Sequence, residues 1–118
     1  MKYLIVDTNS FIYSIENKID LYNEIIYFDN QLEPVLLDCV AAELKGLSNG
    51  NWKAKAAIQY ATKFHKMESS GTGDNCIYNM AKKHGAAVLT NDRGLIKRLK
   101  DAGLTVVIIY DRRALKYF

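Results

Sequence analysis

A chain of 118 residues with 49% apolar side chains and a formal net charge of +3 has the length of one domain and enough apolar content for an ordinary core. No apolar run approaches the roughly 20 residues a membrane helix needs, and Met1-Lys2-Tyr3 leads straight into a strand without the layout of a secretory leader, so the expected setting is cytoplasmic and away from membranes. The two cysteines, Cys39 and Cys76, and the two histidines make no zinc pattern; the cysteines can pair, but they read better as small, reduced residues buried in helices.

The apolar pattern predicts alternating strands and helices. Lys2 to Val6 is apolar almost throughout, as a central strand covered on both faces is. Asp7 or Thr8 caps a helix with Phe11, Ile12 and Ile15 on its apolar side. Asp20 caps the next, which carries one stripe of Leu21, Ile25, Phe28 and Leu32. A second stripe, Ile19, Tyr22 and Ile26, either packs internally or faces a second copy of the chain or another partner. Pro34 ends that pattern, and Val35 to Leu37 is a short buried strand. Asp38 caps a third helix with Val40, Leu44 and Leu47 inward. A turn at Ser48-Asn49-Gly50-Asn51 precedes a helix to about Lys63, whose expected inner line is Trp52, Ala56, Tyr60 and Phe64. His65 to Glu68 fits a short edge strand, and 69–73 a flexible loop in which Thr72 reads as a helix cap. A helix from Asp74 with Ile77, Met80 and Ala81 inward ends in Lys82-Lys83-His84-Gly85, with cations in the last turn and a terminating glycine. Ala86 to Leu89 is a buried strand. Thr90-Asn91-Asp92 is a polar turn, and a helix follows with Leu95, Ile96, Leu99 and Ala102 on one side. Thr105 to Ile109 is the last buried strand; the tail 110–118 is basic and reads as a short helix. This alternation implies right-handed crossovers and a mainly parallel sheet of four or five strands in one domain, 1–118.

Four acids stand at element boundaries or beside a core stripe: Asp7, Glu43, Asp74 and Asp92. In a parallel sheet the C-terminal ends of strands and the N-termini of the following helices share one edge, so all four can converge on one pocket. Carboxylates that close cannot all ionise unaided. A divalent cation relieves the crowding, and all-oxygen ligands favour Mg²⁺ or Mn²⁺, as one ion or two. Such a site rimmed by cations suits phosphodiester hydrolysis. Asn9 and Asn91 can donate to a carboxylate or a phosphate oxygen, and Thr8 and Thr90 can orient a carboxylate. Each of these residues also has a plain reading as a helix cap or turn residue.

Charge is unevenly spread. Residues 1–50 carry eight acids against three lysines, whereas 93–118 carry seven cations against two acids. That asymmetry suits a polyanion partner, although solvated helix faces account for it equally well. Lys45, Arg93, Lys97, Arg112 and Arg113, near the motifs or in the tail, are the expected contacts with such a partner.

The strings Val6-Asp7-Thr8-Asn9, Ala42-Glu43-Leu44, Gly73-Asp74-Asn75-Cys76-Ile77 and Leu89-Thr90-Asn91-Asp92 occur in the order and spacing of PIN domains, and the chain resembles that family over its whole length. The resemblance implies a Rossmann-like α/β/α sandwich. It also implies that Asp7, Glu43, Asp74 and Asp92 are metal-binding, catalytic acids, with Thr90 and Asn9 as supporting hydroxyl and amide, and that the substrate is single-stranded RNA. It is closest in character to the PIN nucleases of ribosomal RNA processing and to VapC-type toxins, which makes an antitoxin or a ribosome-assembly factor an expected partner. Asn75 stands where many relatives carry a second Asp, and Gly94 where many carry an acid. The main alternative is a non-catalytic PIN module serving as an RNA- or protein-binding scaffold. A phosphoacceptor receiver would need a lysine where the late strand ends Ile109-Tyr110-Asp111. A haloacid-type phosphatase would need an acid at Asn9.

Overall fold

A computed structural model describes residues Lys2 to Phe118. In chain order the elements are β1 (Lys2–Val6), α1 (Thr8–Glu16), α2 (Leu21–Phe28), β2 (Leu32–Leu37), α3 (Asp38–Leu47), α4 (Trp52–Ala61), β3 (His65–Met67), α5 (Gly73–His84), β4 (Ala87–Leu89), α6 (Arg93–Asp101), β5 (Val106–Tyr110) and β6 (Ala114–Tyr117). The strands form a single sheet in the order β3-β2-β1-β4-β5-β6, parallel from β3 to β5 and closed by an antiparallel β6. The alternation of strand and helix therefore does what the apolar pattern predicts, with one more strand than the four or five expected. Among the described residues no helix is long and apolar enough to cross a membrane.

The central strands explain themselves. Leu4, Ile5, Val6, Val88 and Leu89 are fully buried, because β1 and β4 have neighbours on both edges and helices above and below. The chain leaves β1 toward β2 and β3, then returns on the other side as β4, so strand order reverses between β1 and β4. In open α/β sheets a crevice forms at such a point, beyond the strands' C-terminal ends. Val6 pairs with Leu89 there, and the Asp7 backbone N–H donates to the Leu89 carbonyl at 3.2 Å.

Several local expectations are corrected by packing. The tail is not a helix: β5 turns at 111–113 and comes back as β6, with Tyr110 opposite Ala114 and Val107 opposite Tyr117. Leu115 packs against the core. Tyr117 lies against Phe28, with ring centroids 4.9 Å apart, and its hydroxyl donates to Asp29, so the edge of the sheet is tied to the end of α2. Pro34 does not precede the second strand but lies within it, opposite Leu4. It sits before the point where β3 begins to pair at Val35, so no β3 bond is asked of its ring nitrogen. Trp52 is 68% exposed and is not on the inner line of α4; the small residues Ala54, Ala57 and Ala61 make that face, letting the helix lie close to its neighbours. Leu47 is likewise exposed.

Two of the three residues of the second stripe near α2 pack internally, and Ile26 is half-buried. Ile19 is buried, the Tyr22 ring meets Phe64 edge-on at 5.4 Å, and the Tyr22 N–H donates to the Tyr60 hydroxyl at 2.7 Å. Tyr60 in turn donates to Asp20 at 2.5 Å, so Asp20 holds Tyr60 instead of capping α2 through its side chain.

The cysteines are paired. Cys39 at the start of α3 and Cys76 in the first turn of α5 form a disulfide spanning 37 residues of sequence, in place of the reduced thiols expected. A bridge closing a loop of that length restricts the unfolded chain by about 2–4 kcal/mol. Reduction, or Cys39→Ser, is therefore expected to lower unfolding stability by about that amount. Chemical denaturation with and without reductant measures it, and an unmoved midpoint counts against the bridge.

Candidate active site

Three of the four acids stand at helix beginnings, and Glu43 stands one turn further along its helix. Asp7 ends β1 and is the N-cap of α1: its Oδ1 accepts from the Ser10 backbone N–H at 2.7 Å. Asp92 follows β4 and caps α6, its Oδ1 accepting from the Leu95 N–H at 2.9 Å. Asp74 is the second residue of α5, and Glu43 lies in the second turn of α3. The plain reading of Asp7 and Asp92 as caps is therefore correct, and it is also what aims them. A cap carboxylate faces the unsatisfied N–H groups and positive end of its helix, which favours negative charge. Thr72 occupies the cap position of α5 but makes no side-chain cap bond.

Hydrogen bonds hold two of the acids. Thr90, fully buried, donates its hydroxyl to Asp7 Oδ2 at 2.5 Å and accepts the Asp92 N–H at 3.1 Å. One threonine thus joins the ends of β1 and β4. Thr8 donates its hydroxyl to Glu43 Oε1, joining α1 to α3. Thr8 and Thr90, the hydroxyls expected beside carboxylates, thus each hydrogen-bond one.

Asn91 does something else. Its amide donates to the Ile109 carbonyl at 2.8 Å and its carbonyl accepts the Ile109 N–H at 2.9 Å. The side chain acts as an extra strand residue that clasps β5, and both its polar atoms are engaged away from any carboxylate. Asn9 is exposed on α1 and lines a pocket of about 400 Å³ that Asp7 and Asp92 also border.

The acids sense one another. Asp7 is only 6% exposed, and burial pushes its carboxyl above the ordinary aspartate range. Hydrogen bonds from Ser10 and Thr90 pull it down, and the negative charge of Asp74 adds to the rise. Asp74, at the rim, is also raised, first by partial desolvation and then by the charges of Asp92 and Glu43, while the Arg98 guanidinium works against them. All four carboxylates therefore share one electrostatic neighbourhood.

The donor chemistry, all oxygen and crowded in negative charge, fits Mg²⁺ or Mn²⁺. Among the described residues, however, no three His, Cys, Asp or Glu side chains stand close enough to hold one ion. Glu43, Asp74 and Asp92 are exposed, whereas Asp7 is buried and held by two hydrogen bonds.

The expected RNA contacts do not gather as a set. Lys45 lies in the last turn of α3 and Arg93 opens α6, both exposed. Lys97 pairs with Asp101 at 3.1 Å one turn along its own helix. Arg112 lines the pocket beside Asp7, and Arg113 reaches Glu24 at 3.6 Å.

The cation that faces the acids is Arg98, which sequence reasoning passed over. It lies over the Tyr78 ring at 4.4 Å and donates to Asn75 Oδ1 at 3.0 Å. Its neutral partner Asn75, the departure from many relatives, leaves the guanidinium charge to act on Asp74. Tyr13, Ser10 and Tyr110, which also border the pocket, were missed as well. Only Ser10, three residues after a capping aspartate, had a readable signal.

Known proteins resemble this chain in sequence and in fold. Residues 4–112 match the family model described as a PIN like domain. The chain is 30% identical over 107 residues to Ribonuclease VapC9 of Archaeoglobus fulgidus, covering 86% of this chain and 78% of that one. Its fold matches the solved structure of the PIN domain endonuclease Utp24 with a TM-score of 0.83 and 25% identity, over 98% of this chain and 90% of the other. It also matches a domain of a functionally unknown protein from Methanocaldococcus jannaschii at a TM-score of 0.68 and 17% identity, over 92% and 91% of the two chains, a likeness of fold alone.

A carboxyl raised in the folded protein keeps protons that the unfolded chain has released, so its contribution to stability falls as pH climbs through the raised value. Asp7→Asn removes that cost while its amide can still meet Ser10 and Thr90. In chelator at pH 7 the variant is expected to be more stable than the parent. The gap should close as pH is lowered and the parent's Asp7 takes up its proton. Thermal unfolding across pH measures this; a variant no more stable at pH 7 contradicts it.

Proposed function

The chain belongs to the PIN-like domain family, and on that premise we propose that it is a ribonuclease that hydrolyses single-stranded RNA with Mg²⁺ or Mn²⁺. The observation that carries the reading is the buried Asp7, tied by Thr90 to the end of β4 and within the field of the other acids. Burying a carboxylate is costly, and a fold that needed only a helix cap at this point could use a neutral Ser, Thr or Asn.

In this reading Asp7, Asp74, Asp92 and Glu43 hold the cation. When bound, the ion lowers the pKa of a water and neutralises charge on the phosphoryl and leaving oxygens. The protein's own residues do the rest. Thr90 and the Ser10 N–H keep Asp7 in one rotamer, so it is the fixed point of the site. Thr8 holds Glu43 by one oxygen. Arg98 offsets part of the crowding at Asp74 and offers a cation at the rim toward which a phosphate is drawn. As settings we propose either a VapC-type toxin held by an antitoxin or a processing nuclease working beside a ribosome-assembly partner; a small antitoxin-like gene next to this one favours the first.

A second reading, a non-catalytic RNA- or protein-binding module, draws on one observation. Among the described residues no three ligand-type side chains converge on a single point. Cleavage of an unstructured, end-labelled RNA separates the two readings. The parent chain is expected to cut it with Mg²⁺ or Mn²⁺ and to stop in EDTA. Asp7→Asn, Asp74→Asn and Asp92→Asn should each lose roughly 100-fold or more in rate, and Thr90→Val roughly 10- to 100-fold. Cleavage that persists in EDTA or in Asp7→Asn would falsify the metal-dependent reading, and RNA binding without cleavage by the parent supports the module.

A further inference from the structure

We propose that the pocket beside Asp7 and Asp92 seats the nucleoside next to the scissile phosphate, and that the RNA strand continues from it over Arg112 toward the C-terminal end of α1. The proposal rests on the ribonuclease reading for the position of the scissile bond, but the groove itself is argued from its own residues.

The pocket, about 400 Å³, lies between α1, the turn after β4 and the turn after β5. Two of its walls are aromatic. Tyr13, on α1, and Tyr110, 43% exposed at the end of β5, both line it, together with Ile109 and the two aspartates. An unstacked base needs this kind of lining, since every base has a π-face and stacking is tolerant of sequence. A base inside a duplex could not enter, so the pocket selects a single strand.

The far wall is held still before any ligand arrives. Asn91 grips both backbone groups of Ile109, and the Tyr13 hydroxyl donates to the Arg112 carbonyl at 2.9 Å. Between these ties Asp111 and Arg112 sit at φ of 47° and 79°, a region that favours glycine. Non-glycine residues persist there only where their surroundings over-determine the backbone, and such positions cluster at ligand-binding turns. A preordered wall loses less freedom on binding. Asn91, expected to touch phosphate, is on this reading a positioning residue for the base pocket.

Arg112 also lines a second pocket of about 250 Å³ with Asn17, Ile19 and Arg113. The two pockets share that one arginine, so they lie on either side of it, the second beside Asn17 at the C-terminal end of α1. Among the described residues Arg112 pairs with no carboxylate. A cation one nucleoside beyond a hydrolytic centre, between an aromatic pocket and a second basic hollow, fits the next phosphate of a polynucleotide.

The test uses the full-length chain carrying Asp7→Asn, so that binding is read without cleavage. Fluorescence anisotropy with a short labelled single-stranded RNA is measured at several salt concentrations. Adding Tyr110→Ala is expected to weaken binding roughly tenfold with the salt slope unchanged, and Tyr110→Phe to restore it. Adding Arg112→Gly, which suits a φ of 79°, should raise thermal stability yet weaken binding and lower the salt slope by about 0.7, one phosphate contact on a single strand. In the cleaving parent, an RNA lacking the base beside the cut site should lose as much as Tyr110→Ala does, and the two changes together should lose no more than either. Binding within twofold of Asp7→Asn for both Tyr110→Ala and Arg112→Gly overturns the groove, as do independent, multiplying losses in the abasic test. If the parent cuts nothing but binding still depends on Tyr110 and Arg112, the groove stands and the nuclease reading falls.

Discussion

The pairing of β1 with β4 is the constraint from which the site follows. Two parallel strands become neighbours although the chain visits β2 and β3 between them, and their register sets Val6 against Leu89. Each strand then delivers its next residues to the same point: Asp7 from one, Thr90 to Asp92 from the other. The Thr90 hydroxyl closes the junction onto Asp7. A slip of one residue in that register would turn Asp7 to the opposite face of the sheet and separate the pair. Two helices begin at this point with their N–H groups aimed into the crevice, so the backbone is arranged for negative charge before any side chain is counted.

Negative charge is nonetheless concentrated here beyond what the helix ends can neutralise. Burial raises the Asp7 carboxyl, and the rim acids raise Asp74. The countercharge lies to one side, where Arg98 spans Tyr78 and Asn75 and leaves the acidic centre open. The neutral Asn75 fits the same balance: an aspartate there would engage Arg98 directly and add another negative charge beside Asp74.

Two devices keep the walls of the crevice in place. On one side the Cys39–Cys76 bridge joins α3 to α5, the helices that carry Glu43 and Asp74. On the other, Asn91 and Tyr13 hold the turn between β5 and β6. The ties thus lie at the sheet edge and in the two flanking walls, while Glu43, Asp74 and Asp92 stand exposed at the rim.

The alternation of buried strand, polar turn and amphipathic helix was legible from residue spacing, because apolar periodicity reports burial directly. The four acids were legible because strand C-termini in a parallel sheet share an edge whatever the order of the strands. Which strands are neighbours is not written in local spacing, so the roles of Asn91 and Arg98 were not readable: one depends on β5 lying beside β4, the other on α5 packing against α6. The tail misled for a related reason. Leu115-Lys116-Tyr117 alternates with the period of a strand, but four residues become one only when an edge such as β5 accepts them. Local chemistry determined the elements and the acids at their ends; the pairing of distant segments, through hydrogen bonds and contacts that no single segment makes alone, decided which side chains meet.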